Sequence, residues 1–274
     1  MPIHRTLNLR SITDAEFDFI DEAVMRCAYA SQNKFGSLFS ERIYENDIAA
    51  RLRAEGFEVH TQVPVTVTHG VFSKTYYLDL VVNHLLYELK VVAAMVKEHE
   101  AQGLHYAMLQ DVRRVKLINF GGDLVRGKLL RNAISESDRH HPTMSNTGFR
   151  ILTPHCDHLV THLKQLIKDW GTHLDNRLYS EALVHHFGGD GQCLRRIEVT
   201  ASDRKLGTHL IQLHSPQHAF VVTAFHNKQT SYRHHLDVLL EHVSLDAIQW
   251  INLNRSRLEM TTIQRDDNGI RTQE

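Results

Sequence analysis

The 274-residue chain has no apolar run longer than a few residues, far short of the roughly 20 that a membrane-spanning helix needs. The opening MPIHRTLNLR also lacks the apolar core of a secretory signal, so the expected location is cytoplasmic. Cysteine is scarce: Cys27, Cys156 and Cys193 are odd in number, scattered and never in CxxC spacing. That excludes a disulfide framework and fits a reducing compartment. Net charge is lacking as well, at −1. No overall basic field advertises a nucleic-acid binder, and any cationic surface has to be local. No glycine loop has the spacing of a P-loop or a dinucleotide fingerprint, so no nucleotide cofactor is expected.

What is present is ordinary globular composition, 42% hydrophobic and 23% charged, at a length that suits one large domain or two small ones. SITDAEFDFIDEAVMRCAYASQ reads as a first helix, with Thr13 and Glu16 as a capping box and Phe17, Ile20, Ala23, Val24 and Cys27 as its apolar stripe. SERIYENDIAARLRAEG reads as a second, with Ile43, Ile48, Ala49 and Leu52 inward and Gly56 as its stop. Strands follow in EVHTQVPVTVTH, TYYLDLVV and LLYELKVV, then a helix in KEHEAQGLHYAMLQ and strands in VKLINF and LVRGKLL. The second half repeats this order. An offset of 133 residues lays Asn119 on Asn252 and TYYLDLVV on THLIQLHS, and an offset of 135 lays Tyr44 on Tyr179. The reading is a duplicated unit, residues 1–133 and 151–274, joined by the polar, turn-rich stretch 134–150.

YYLDLVVNHLLYELKVV places an Asp, a Glu and a Lys inside two of the most apolar stretches of the chain. Buried charges cost several kcal/mol unless compensated. A two-residue turn at Asn83-His84 pairs Val82 with Leu85 and sets Asp79 opposite Glu88. Alternation then puts Glu88 and Lys90 on one face, and Tyr87, Leu89 and Val91 on the other. Two carboxylates so placed repel unless a cation lies between them, and an all-oxygen pair suits Mg²⁺ or Mn²⁺. A solvated sheet face is the competing explanation from geometry alone.

FGSLFSERIYENDIAARL, QVPVTVTHGVFSKTYYLDLVV, YELKVV, EHEAQGLHY and LINFGG, in that order, resemble the signature blocks of the GxxExxY proteins, a bacterial branch near the RecB-like nucleases of the PD-(D/E)XK superfamily. The resemblance spans roughly residues 12–132. It implies an α/β chain of two tandem restriction-endonuclease-like units, each a small mixed sheet flanked by helices. It also implies a nuclease that hydrolyses nucleic acid, DNA being the expected substrate. By similarity, Asp79, Glu88, the Leu89 carbonyl and Glu41 would hold the metal, Lys90 would be the catalytic lysine, and Gln102 and Tyr106 would form the QxxxY element on the following helix. Leu38 departs from the pattern, standing where the family's first glycine is expected, with Gly36 two positions earlier.

In the second half Asp79 becomes Gln212, Glu88 becomes Val221 and Lys90 becomes Thr223, with a turn at Pro216-Gln217 that sets Gln212 opposite Val221. The same strand carries no charge where no metal is needed. Residues 151–274 therefore read as a degenerate copy lacking the site, a built-in pseudo-dimer partner, with a homo-oligomer left open. Arg113, Arg114, Lys116, Arg126, Lys128 and Arg131 offer a local cationic track for phosphates, or a charged sheet edge. His155, His158 and His162 have spacing that could take zinc, but read as surface positions. The rival functions are a binding module derived from a nuclease fold, and a hydrolase of a phosphodiester other than nucleic acid.

Overall fold

The computed structural model describes residues 2–202 and 204–265, and the chain divides into two compact units, 1–138 and 139–274. Unit 1 runs β1 (Ile3–Arg5), α1 (Asp14–Phe35), α2 (Glu41–Ala54), β2 (Val59–His69), β3 (Phe72–Val82), β4 (Leu85–Lys90), α3 (Lys97–Leu109), β5 (Arg114–Asn119), β6 (Arg126–Arg131) and α4 (Glu136–Arg139). Its six strands form one sheet in the order β1-β2-β3-β4-β5-β6. All neighbours are antiparallel except β4 and β5, which are parallel and joined through α3. Unit 2 runs β7 (Thr143–Gly148), α5 (Pro154–Trp170), α6 (Asn176–His186), α7 (Asp190–Cys193), β8 (Leu194–Ala201), β9 (Arg204–Ser215), β10 (His218–Thr223), α8 (Gln229–His242), β11 (Ala247–Asn254) and β12 (Arg257–Gln264). Its sheet is ordered β7-β12-β11-β10-β9-β8, again with a parallel central pair, β10 and β11.

Five strands correspond between the units and the sixth does not. β1 extends unit 1 at the β2 edge, whereas β7 extends unit 2 at the opposite edge, parallel to β12. The stretch 134–150 is therefore more than a connection: residues 143–148 pair with β12. All six are exposed and, apart from Met144 and Gly148, polar, the pattern of an edge strand, which composition alone does not separate from a linker.

The core of unit 1 packs α1 and α2 against one sheet face. Ile20, Val24, Cys27, Tyr44, Ile48 and Leu52 meet Leu80, Val82, Tyr87, Leu89 and Ile118. Thr13 and Glu16 form the capping box of α1. Ile43, expected inward, is 39% exposed; Tyr44 occupies the inward position next to it and is fully buried. Tyr44 stacks on Phe120 with ring centroids 4.4 Å apart.

The Tyr44 hydroxyl donates to the carbonyl of Gly36 at 2.6 Å, and the Tyr179 hydroxyl donates to the carbonyl of Gly171, also at 2.6 Å. Both glycines end the preceding helix at φ 73° and 74° with extended negative ψ, a region only glycine enters without strain. This accounts for the departure at Leu38. The glycine the turn requires is Gly36, and Leu38 is 95% exposed with no positive φ. A second feature also recurs. Asn119 accepts from the backbone N–H of Val92 at 3.0 Å and donates to its carbonyl at 2.8 Å; Asn252 does the same to Phe225 at 2.8 and 3.0 Å.

Removing either hydroxyl, by Tyr44→Phe or Tyr179→Phe, leaves a carbonyl without its donor. Each is expected to cost about 1–2 kcal/mol in urea unfolding, and the double variant the sum of the two. A change below 0.3 kcal/mol (roughly the limit of additivity) in both would mean the tyrosines act only through their rings.

Candidate active site

Strand β4 lies in the middle of the sheet, and every one of its residues is buried. Tyr87 and Leu89 face the helical core, so Glu88 and Lys90 face the other side, as alternation requires. On that side α3 lies close to β5. A Cβ on Gly103 would come within 2.8 Å of Leu117 Cδ2, so glycine lets the helix approach. Glu88 is 1% exposed and Lys90 8%. The ammonium of Lys90 donates to Glu88 Oε1 at 2.6 Å, while Glu88 Oε2 is buried without a partner.

Asp79 reaches the same place from β3. The hairpin has the expected turn, with Val82 opposite Leu85, but the ladder ends at Leu80 and Tyr87. Beyond it, Asp79 Oδ2 accepts from the backbone N–H of Leu89 at 2.8 Å. A carboxylate thus serves as acceptor for a strand N–H, and the two strands part at the level of Glu88. Glu41, in the first turn of α2, accepts from Val91 N–H at a longer 3.3 Å. On α3, the Gln102 amide donates to the Tyr106 hydroxyl at 3.0 Å. The four-residue spacing that puts them on one helix face makes this bond possible.

Two further residues belong here that sequence reasoning missed. Glu45, one turn after Glu41, is 2% exposed, accepting from Arg42 at 2.7 Å and from the Gln62 amide at 2.6 Å. Gln62 also approaches Asp79 Oδ1 at 3.4 Å. A Glu four residues after Glu41 on one helix face was the available signal; nothing in the sequence marks Gln62.

Burial, reinforced by the negative charge of Asp79, raises the Glu88 carboxyl to about 8. Burial alone would pull the Lys90 ammonium down, but the carboxylates of Glu88, Glu41 and Asp79 outweigh it and hold it above the ordinary lysine value. Glu45 is raised chiefly by burial, against its bonds from Gln62 and Arg42. Burial also raises Tyr106, which feels the charges of Glu88 and Asp79.

The cationic track is not brought together as an unpaired surface. Arg114 pairs with Asp14, Lys116 with Asp21, and Lys128 with Glu100. Arg113, Arg126 and Arg131 remain exposed.

Residues 18–131 match the family model of the PD-(D/E)XK nuclease superfamily. The match runs from within α1 to the end of β6 and includes Glu41, Glu45, Gln62, Asp79, Glu88, Lys90, Gln102 and Tyr106. Searches of curated proteins and of solved structures each found no match. Nucleases of this superfamily typically use divalent metals. The donors here fit a hard cation in kind, since Glu88 Oε2 is unpartnered and Asp79 and Glu41 bring further oxygens. They are not gathered around one point: among the described residues no three His, Cys, Asp or Glu side chains cluster closely enough to hold a metal.

Unit 2 offers an internal comparison. At the 135-residue offset of the two tyrosines, Glu41 becomes Asn176 and Glu45 becomes Ser180. Ser180 donates to Gln212 at 2.9 Å, and Asn176 donates to the Val222 carbonyl at 3.1 Å. Val221 pairs with Trp250 and both join an apolar cluster with Leu236 of α8. The Trp250 indole donates to Thr223, which donates to Asn252, each at 2.8 Å. The carboxylates and the lysine of the unit 1 site are replaced by neutral groups. The register differs in one respect from expectation. Gln212 lies opposite Phe220, not Val221, because an irregularity after His218 leaves His214 as an extra residue in β9.

In metal-free protein the folded Glu88 keeps its proton up to about pH 8, whereas an ordinary glutamate carboxyl titrates near 4.5. Between those values the native state binds more protons than the unfolded chain, so stability falls as pH rises. At about 1.4 kcal/mol per pH unit, the decline reaches several kcal/mol. Glu88→Gln should flatten it in urea unfolding with EDTA from pH 5 to 9. Parallel curves for wild type and variant would contradict this assignment.

Proposed function

We propose that unit 1 is a metal-dependent nuclease hydrolysing phosphodiester bonds of nucleic acid, with DNA the expected substrate. We also propose that it is of the GxxExxY, RecB-like kind, that residues 1–133 form the nuclease domain, and that 151–274 are a degenerate copy. The observation that carries the reading is Glu88: a buried carboxyl with one unpartnered oxygen, flanked by Asp79 and paired with Lys90.

Asp79, Glu88, the Leu89 carbonyl and Glu41 would hold Mg²⁺ or Mn²⁺, which when bound lowers the pKa of a water and stabilises charge on a phosphoryl oxygen. Lys90, held by its bond to Glu88, would orient the attacking water and neutralise charge building on the phosphate. Asp79 is fixed through Oδ2 by the Leu89 N–H, and its Oδ1 lies 3.4 Å from the Gln62 amide. Gln102 and Tyr106 supply hydrogen-bonding groups from α3 for the substrate backbone. The neutral, internally bonded site of unit 2 leaves that unit a role in packing or substrate binding, and it favours as a second reading that part of this chain binds without cutting.

Labelled single- and double-stranded DNA and RNA, incubated with Mg²⁺, Mn²⁺ or EDTA, test the reading. The expected outcome is metal-dependent cleavage that falls by at least about 100-fold in Lys90→Ala and Glu88→Ala. Absence of both cleavage and metal binding would leave the non-catalytic binding module as the function.

A further inference from the structure

Gln62 is the strained residue of the site. It sits in the interior of β2 with φ +50°, a left-handed backbone uncommon for any residue but glycine and rarer inside a strand. Its neighbours pair normally, Thr61 with Leu80 and Val63 with Leu78, so the distortion is confined to the position facing Asp79. The side chain is spent on two carboxylates, 2.6 Å from Glu45 Oε2 and 3.4 Å from Asp79 Oδ1. Strain of this kind costs on the order of 1–3 kcal/mol and persists where the surroundings over-determine it.

An amide suits this position for a chemical reason. Glu45 and Asp79 repel one another, and the charge of Asp79 adds to the cost of ionising the buried Glu45. A lysine or arginine between them would remove the repulsion by cancelling the charge that a cation needs. A carboxamide donates through its nitrogen to both and adds no charge. The other oxygen of Glu45 is held by Arg42, so the strut has a fixed far end.

Resting on the reading of unit 1 as a metal-dependent phosphodiesterase, we propose that Gln62 is a positioning residue that braces Asp79 against the buried Glu45 and so sets the metal-binding carboxylate in place. It touches no reacting atom; it acts through Asp79.

Two measurements on the full chain test this. Mn²⁺ affinity is expected to fall roughly 10- to 100-fold in Gln62→Gly, while the melting temperature holds or rises because glycine tolerates the positive φ. The second needs no metal. The Gln62 side-chain amide protons, identified by their loss in Gln62→Gly, should be separate and slow to exchange, and both Glu45→Ala and Asp79→Asn should shift them. If Gln62→Gly does not fold, Gln62→Asn, one methylene shorter and tolerant of the same backbone, serves for the affinity and for identifying the resonances. Unchanged Mn²⁺ affinity, or amide protons averaged by free rotation and insensitive to both carboxylate variants, would overturn the proposal. Should the wild type bind no Mn²⁺, the metal reading fails and with it the role in metal placement, while the amide resonances still decide whether the strut exists.

Discussion

A carboxyl group on the central strand, buried with one oxygen unpartnered, is the constraint around which unit 1 is organised. Desolvating Glu88 is costly, and the protein responds on three sides. Lys90 bonds one oxygen from the same strand face, the ionised form is disfavoured so that the proton is retained to about pH 8, and α3 closes over that side through Gly103. The retained proton lets Glu88 donate to Asp79, and the cost of the second oxygen returns when the carboxyl ionises. A fold selected for stability alone would not keep such a group at the centre of its sheet.

The second unit shows how the same strand arrangement is built without that constraint. Val221 and Trp250 fill with apolar surface the face that Glu88 and Leu117 share in unit 1. Ser180, at the place of Glu45, bonds Gln212 directly, whereas Glu45 is held by Gln62 and Arg42. The tyrosine-glycine clamp and the asparagine that ties the strand to its following loop are common to both. These features serve the fold, and the charged set separates from them cleanly.

Reading the sequence recovers what depends on local periodicity. The helix-helix-three-strand order, the Asn83-His84 turn and the facing of Glu88 and Lys90 follow from apolar spacing and alternation, and the structure has them. Recurrence of Tyr44 and Asn119 pointed to a duplicated unit, and both residues make the same hydrogen bonds in each half. What escaped depends on departures from regularity. Gln62, at the register position facing Asp79, has a left-handed backbone within a strand, and Gln212 shifts partner because β9 carries an extra residue. Ion pairs formed by residues far apart in sequence, such as Lys116 with Asp21, engage half of the six basic residues that the sequence offered as a cationic track or a charged sheet edge. β7 was hidden because an exposed edge strand has the composition of a loop.

The central claim is that charge in unit 1 exists to hold a cation, and that unit 2 has none because it holds none. A crystal grown or soaked with Mn²⁺ and recorded near the manganese absorption edge addresses both halves at once. The account requires an anomalous peak beside Asp79 and Glu88 and no peak beside Gln212, Ser180 and Asn176. No peak beside Asp79 and Glu88 at saturating Mn²⁺, or equal peaks in the two units, would contradict it.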